Sequence, residues 1–160
     1  ISDDLILLGR KILTNQSEVI HMTAFISDRP IRVGIVDDND IHRDILHKSL
    51  DLLPDLTVVA EAKNGVEAVD MVKFLHPDIV LMDVSLPVLN GIDATRIIRS
   101  NFSDTKVIIL TLYGDRSLSD TAREAGACQF LNKYCGQEKL FQAIKRCSGG
   151  PVKVVGHPPH

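Results

Sequence analysis

IRVGIVD, residues 31–37, is a short apolar run that ends in acid, and Asp38, Asn39 and Asp40 follow at once. A brief continuous run of this kind reads as a strand buried on both faces. Two carboxylates about 4 Å apart repel by roughly 4 kcal/mol at an effective dielectric near 20. Acids gathered where a strand leaves its core therefore either fan out into water or surround something positive.

Working outward from this run, the chain alternates between two periods. DIHRDILHKSLDLL (40–53) is expected to form a helix with Ile41, Ile45, Leu46, Leu50 and Leu53 on one face. LTVVAEA (56–62) is a β-branched strand, and Asn64-Gly65 is a turn signal before the helix VEAVDMVKFL (66–75), which stops at His76-Pro77. DIVLMD (78–83) is a strand that again ends in aspartate, GIDATRIIRSNF (91–102) a helix, and KVIILT (106–111) a strand. SLSDTAREAGA (117–127) is a helix closed by Gly126, CQFLNK (128–133) a strand, and QEKLFQAIKRC (137–147) the last helix. Strict alternation of apolar strands with amphipathic helices predicts an α/β fold, a five-stranded parallel sheet with helices on both faces.

In such sheets ligands sit beyond the carboxyl ends of the strands. Those ends carry Asp37 and Asp38, Asp83, Thr111 and Lys133. A strand end followed by Asp-Asp-Asn-Asp would repel phosphate unless a metal intervened. Oxygen ligands suit a hard cation such as Mg²⁺, which takes one or two carboxylates with waters and phosphate oxygens. Asp37 or Asp38 with Asp83 supplies the carboxylates, and the backbone carbonyl of Ser85 a further oxygen. The plainer role for Asp37 or Asp38 is an N-cap of the next helix, which would account for one acid but not for two plus Asp83. Asp83, entering the loop VSLPVLNG, is placed to attack phosphorus in line and form an aspartyl phosphate. Lys133 offers a compact cation and Thr111 a hydroxyl to phosphoryl oxygens. Taken singly, a solvated strand end and a β-forming threonine explain these two as well; jointly, on neighbouring strand ends, they do not.

VDDND, PDIVLMDVSLPVLNGIDATRIIR, VIILTLY and AGACQFLNK together resemble the receiver domain of bacterial two-component response regulators over residues 31–147. PDLTVVAEAKNGVEAV and LTLY are most similar to the subfamily with a LuxR-type helix-turn-helix output. The resemblance implies a flavodoxin-like (βα)5 fold with strand order 2-1-3-4-5. It implies Mg²⁺ (or Mn²⁺) held by Asp37, Asp38, Asp83 and the Ser85 carbonyl, with Asp83 accepting a phosphoryl group from a sensor histidine kinase. Thr111 and Lys133 would bind the phosphoryl oxygens, and Phe130 occupies the position of a rotating aromatic, so that the surface of the fourth helix (117–127), fifth strand (128–133) and fifth helix (137–147) switches to control an output. Phosphorylation-dependent homodimerisation is a further expectation. Two departures stand out. Phe130 lacks the tyrosine hydroxyl often found there, and Leu112 is bulkier than the small residue common next to the threonine. Leu112 and Tyr113 are therefore candidate modulators of the site.

The 160 residues are 44% hydrophobic and 24% charged, with a formal charge of −3, which suits one soluble domain and gives no electrostatic reason to expect nucleic acid or an anionic membrane as a direct partner. No apolar stretch approaches the roughly 18 residues of a membrane span, and no secretion pattern appears, so a cytoplasmic location is expected. Cys128, Cys135 and Cys147 lack metal-type spacing and are expected to be ordinary thiols. Residues 1–30 stand outside the α/β pattern: SDDLILLGRKIL has an amphipathic helical pattern, or the stretch before Met22 is a fused foreign segment. Residues 148–160 read as a flexible Gly- and Pro-rich tail, too short for a folded output, so DNA binding is not expected of the chain itself. The expected function is thus a phosphoacceptor switch rather than a turnover enzyme. Two other readings remain: a Mg²⁺-dependent phosphatase with an aspartate nucleophile, which usually carries a second acid where Ser85 stands, and a receiver-like binding module that works without phosphate.

Overall fold

The computed structural model describes residues 29–149. The N-terminal helical pattern and the tail from residue 150 lie outside the described residues. In chain order the elements are β1 (Ile31–Val36), α1 (Asp40–Asp51), β2 (Leu56–Ala62), α2 (Gly65–Leu75), β3 (Ile79–Asp83), α3 (Gly91–Asn101), β4 (Lys106–Thr111), α4 (Arg116–Glu124), β5 (Gln129–Asn132) and α5 (Gln137–Cys147). The strands form one parallel sheet in the order β2-β1-β3-β4-β5, as expected. Each predicted element is present, with ends displaced by a few residues at most; Lys133 lies just past β5.

Successive residues of a strand point to opposite faces, so the central strands feed two cores. Val33 and Ile35 of β1, Ile79 and Leu81 of β3, and Ile108 and Leu110 of β4 pack with Leu46 and Leu50 of α1 and Leu140 and Ile144 of α5. On the other face, Val36, Val80, Met82, Val107 and Ile109 pack with Met71 and Val72 of α2, Ile92 and Ile98 of α3, and Ala122 of α4. Burying both faces is what makes these strands continuously apolar. Among the described residues no helix is long and apolar enough to cross a membrane.

Two sequence expectations require correction. Ile41 and Ile45 do not share the buried face of α1: they are 73% and 56% exposed, while Arg43, Leu46 and Leu50 are buried. At 100° per residue, positions 41 and 45 lie opposite positions 43, 46 and 50. The inward position is taken by Arg43, because its guanidinium finds acceptors at the end of β1. The cysteines are not all thiols. Cys128 and Cys147, 19 residues apart, form a disulfide, and Cys135 is free. Spacing alone could not show that the start of β5 abuts the end of α5.

The loop after β3 contains the non-glycine residue Val88 at φ 68°, 85% exposed, with Leu89 N–H donating to Pro87 O (2.8 Å) across it. A γ-turn of this hand is rare and strained, most of all for a β-branched residue. Left-handed backbone costs a non-glycine residue about 1–2 kcal/mol, and glycine's extra unfolded-state entropy returns part of that. Val88→Gly is therefore expected to raise stability by about 1 kcal/mol in urea denaturation, with an unchanged slope. A loss of stability would show that the turn is not strained.

Candidate functional site

The carboxyl ends of β1 and β3 lie side by side, because the two strands are hydrogen-bonded neighbours with Val36 opposite Met82. The next residues, Asp37 and Asp83, are 2% and 5% exposed. Asp38 is exposed beside them, and one carboxylate oxygen from each of Asp37, Asp38 and Asp83 falls within 4.8 Å of the others. Lys133 follows β5 and reaches across the sheet's end. Its Nζ donates to Asp37 Oδ2 at 2.6 Å and lies 2.9 Å from Asp83 Oδ2. Of the sequence-predicted residues, Asp37, Asp38, Asp83 and Lys133 are thus brought together.

The N-cap of α1 is Asn39, whose side chain accepts from His42 N–H (3.0 Å). Neither aspartate is consumed by capping, so the plainer explanation for the paired acids falls away. Asp37 is instead held from several sides. Its Oδ1 accepts Asn39 N–H at 2.9 Å, and its Oδ2 meets His42 Nδ1 at 2.5 Å. Arg43 Nη1 donates to the Asp37 carbonyl at 2.8 Å, and its Nε to Glu61 Oε2 at 3.1 Å. Arg43 also pairs with Asp40. His42 and Arg43 were not legible as site residues, since positions five and six beyond an aspartate carry no motif. Only the way α1 turns back over the end of β1 places them there.

Electrostatics distinguishes the two buried acids. Burial pushes the Asp37 carboxyl up, but Lys133, the Asn39 amide and His42 outweigh it and hold Asp37 below the usual carboxylate range. Burial also pushes Asp83 up; Lys133 pulls it back, the neighbouring Asp37 charge adds to the rise, and the net direction is upward. Burial lowers the Lys133 ammonium, yet the two aspartates more than compensate and raise it. Lys133 stands between the two buried carboxylates, and the exposed Asp38 carboxylate beside them adds further negative charge. That residual charge and the all-oxygen donor set fit a hard divalent cation.

Ser85 sits two residues beyond Asp83, and its N–H donates to Asp83 Oδ1 at 3.3 Å. Thr111 ends β4 and is buried, but its hydroxyl donates to Tyr113 O (3.0 Å) and accepts Tyr113 N–H (3.3 Å) rather than reaching the carboxylates. Its carbonyl accepts Lys133 N–H at 2.9 Å, which ties the ends of β4 and β5 together. Leu112 and Tyr113 are exposed at the rim, and Leu112 O accepts from Asn132 Nδ2 at 3.2 Å. Phe130 is partly buried against the core. Gly114 lies so close that a Cβ there would come within 2.7 Å of the Phe130 ring and 3.3 Å of Thr111 Cγ2. The loop after the threonine thus lies, at Gly114, against both Thr111 and the Phe130 ring.

Comparison with known proteins gives a consistent result. The family described as "Response regulator receiver domain" matches residues 33–145. The transcriptional regulatory protein LnrK of Bacillus subtilis is 42% identical over 123 residues, covering 76% of this chain and 56% of that protein. The chain therefore spans about half the length of the curated relatives it matches. The signal receiver domain of the response regulator NarL from Mycobacterium tuberculosis superposes with a TM-score of 0.73 at 27% identity, covering 77% of this chain and 99% of that one. A chain of the CheX-CheY-BeF3-Mg²⁺ complex from Borrelia burgdorferi gives a TM-score of 0.69 at 26% identity, covering 74% of this chain and 89% of that one.

Proposed function

We propose, from the premise that this chain belongs to the response regulator receiver domain family, that residues 31–147 act as a phosphorylation switch centred on Asp83. The observation that carries this reading is the convergence of the Asp37, Asp38 and Asp83 carboxylates within 4.8 Å of one another, with Lys133 Nζ against Asp37 and Asp83. An Asp83 carboxylate oxygen attacks the phosphorus of a phosphohistidine on a sensor kinase. The P–N bond breaks, the imidazole leaves with the electron pair and takes up a proton, and Asp83 holds an acyl phosphate. Phosphoryl transfer needs positioning and charge neutralisation more than covalent assistance. Mg²⁺ (or Mn²⁺) held by Asp37, Asp38, Asp83 and the Ser85 carbonyl would neutralise charge on the transferring group. Asp37 is suited to remain ionised, since its hydrogen bonds favour the carboxylate. Lys133 exchanges its Asp83 contact for a phosphoryl oxygen.

The signal then follows from the contacts around Thr111. Its hydroxyl turns from Tyr113 O toward the new acceptor oxygens. This loosens the loop pressed against Phe130 and lets the ring move, reshaping the surface of α4, β5 and α5. Moving such an element from roughly 1:99 to 99:1 takes about 5.5 kcal/mol, within reach of a desolvated charge cluster gaining a phosphate. Leu112 and Tyr113, at the rim, modulate access to the site and the lifetime of the phosphate. The relatives' names support an output in transcription, carried outside residues 31–147, and homodimerisation of the switched surface is part of the same reading.

Incubation with Mg²⁺ and acetyl phosphate, followed by intact mass, tests this. One added phosphoryl group on the parent and none on Asp83→Asn is the expected result. Continuous phosphate release from many donors would instead favour an enzyme with an aspartate nucleophile. An unmodified parent would favour a binding module that works without phosphate.

A further inference from the structure

The Cys128–Cys147 disulfide takes no part in the site, yet it joins two elements that matter to any output. Cys128 lies immediately before β5 and is exposed, with its N–H donating to Val107 O of β4 at 2.7 Å. Cys147 is the last residue of α5 and is buried among Leu140, Ala143 and Ile144. The bridge therefore ties the foot of β5 to the final turn of α5, at the opposite end of the sheet from the aspartates. It sits beside the point where the chain leaves the domain.

We propose that Cys128 and Cys147 form a redox latch: closed, it clamps the end of α5 to β5 and fixes where the chain leaves the domain; open, it frees that last turn. Three observations favour a latch over a permanent staple. The domain already buries both faces of a five-stranded sheet, so it does not depend on cross-links as small cores do. Cys128 is open to an attacking thiol, and access governs exchange. A free Cys147 thiol behaves as a small hydrophobe and brings no charge into the apolar cluster it borders, so opening loosens the last turn without unfolding the domain. The other tie on the last turn, Lys145 Nζ to Asp55 Oδ2 at 2.7 Å, joins partly solvated groups and holds weakly.

The opening step uses a low-molecular-weight thiol of the glutathione class. Its thiolate attacks Cys128 Sγ, the S–S bond breaks, and the electron pair leaves on Cys147 Sγ, which takes a proton. A second thiolate attacks the mixed disulfide, releasing Cys128 as a thiolate that is then protonated. The balance is two protein thiols formed and one small-molecule disulfide released; closing is the reverse.

The test uses the full chain in buffers of defined reduced-to-oxidised glutathione ratio, quenched by alkylation under denaturing conditions and mapped by peptide mass. Cys128 and Cys147 are expected to gain or lose alkylation together as the ratio changes, while Cys135 stays modifiable throughout as the internal control. Amide exchange should then be about tenfold faster at Ile144–Ser148 in the reduced protein than in the oxidised one, with β3 unchanged. Cys128→Ser and, separately, Cys147→Ala should reproduce the reduced pattern under oxidising conditions. Asp83→Asn should respond to redox as the parent does, which keeps the latch distinct from phosphorylation. Two free thiols at 128 and 147 in oxidised glutathione would overturn the proposal. So would a bridge that stays closed in reduced glutathione, or equal exchange at the end of α5 in both forms.

Discussion

Lys133→Ala is expected to destabilise the metal-free protein by about 3–5 kcal/mol near neutral pH, because it removes the cation between Asp37 and Asp83 and leaves two buried, mutually repelling carboxylates. The sign of the pH dependence follows from the directions of the shifts. Asp37 is held below its unfolded value, so its contribution to stability is present above that value and is lost as pH falls through the folded one. Asp83 is raised, so its contribution is present below the unfolded value and is lost as pH rises through the folded one. Lys133 is raised too, and its contribution is lost only when alkaline pH passes its folded value. Without Lys133 the carboxylates lose their partner and both shift upward. The defect should therefore be greatest near neutrality and shrink toward acid pH, where the unpaired acids become protonated. Urea denaturation of parent and variant in chelator at several pH values would measure it. The pair Lys133→Met with Asp83→Asn should recover much of the loss. A variant as stable as the parent near neutrality, or a defect that grows on acidification, would contradict the charge arrangement.

Gly91→Ala is expected to injure both fold and site. An ideal Cβ on Gly91 would stand 1.8 Å from the Asp83 carbonyl oxygen and 3.0 Å from Val84 Cα. Those are backbone atoms of the strand end that carries Asp83, so no side chain can swing aside to make room. Gly91 N–H also donates to Val84 O at 3.0 Å, which ties the start of α3 to the same strand end and resists its sliding away. Overpacking of this severity should cost about 3 kcal/mol in urea denaturation. A displacement of Asp83 by about 1 Å should slow acetyl phosphate labelling by roughly 100-fold. Gly136→Ala is the informative control. At φ 84° it carries conformational strain, but a Cβ there meets nothing within 4 Å. Gly136→Ala should lose about 1–3 kcal/mol, because φ 84° with ψ 151° is backbone that only glycine adopts readily, and label at the parental rate. Equal behaviour of the two variants would mean that the close approach of Gly91 to the Asp83 carbonyl does not constrain the site.

Most of the architecture was legible because it follows from period. Apolar runs such as DIVLMD, separated by helical spacing, leave a two-sided parallel sheet as the natural way to bury every strand. Strand ends in such a sheet must open on the same edge. Asp37, Asp38, Asp83 and Lys133 therefore group on one edge from sequence position alone, and the structure does bring their charged atoms together. Thr111 was placed on the correct strand end, but its hydroxyl bonds to Tyr113, a choice between acceptors that position alone does not make.

What the chain determined by itself was the order of elements and the edge on which its polar residues gather, since both depend on spacing along one dimension. Only the tertiary structure decided which groups touch. Arg43 rather than Ile41 faces inward, His42 meets Asp37, Gly91 presses on the Asp83 carbonyl, and Cys128 closes on Cys147. Each of those contacts is set by how rigid elements lean on one another, and that geometry is a property of the packed core, not of any local stretch of sequence.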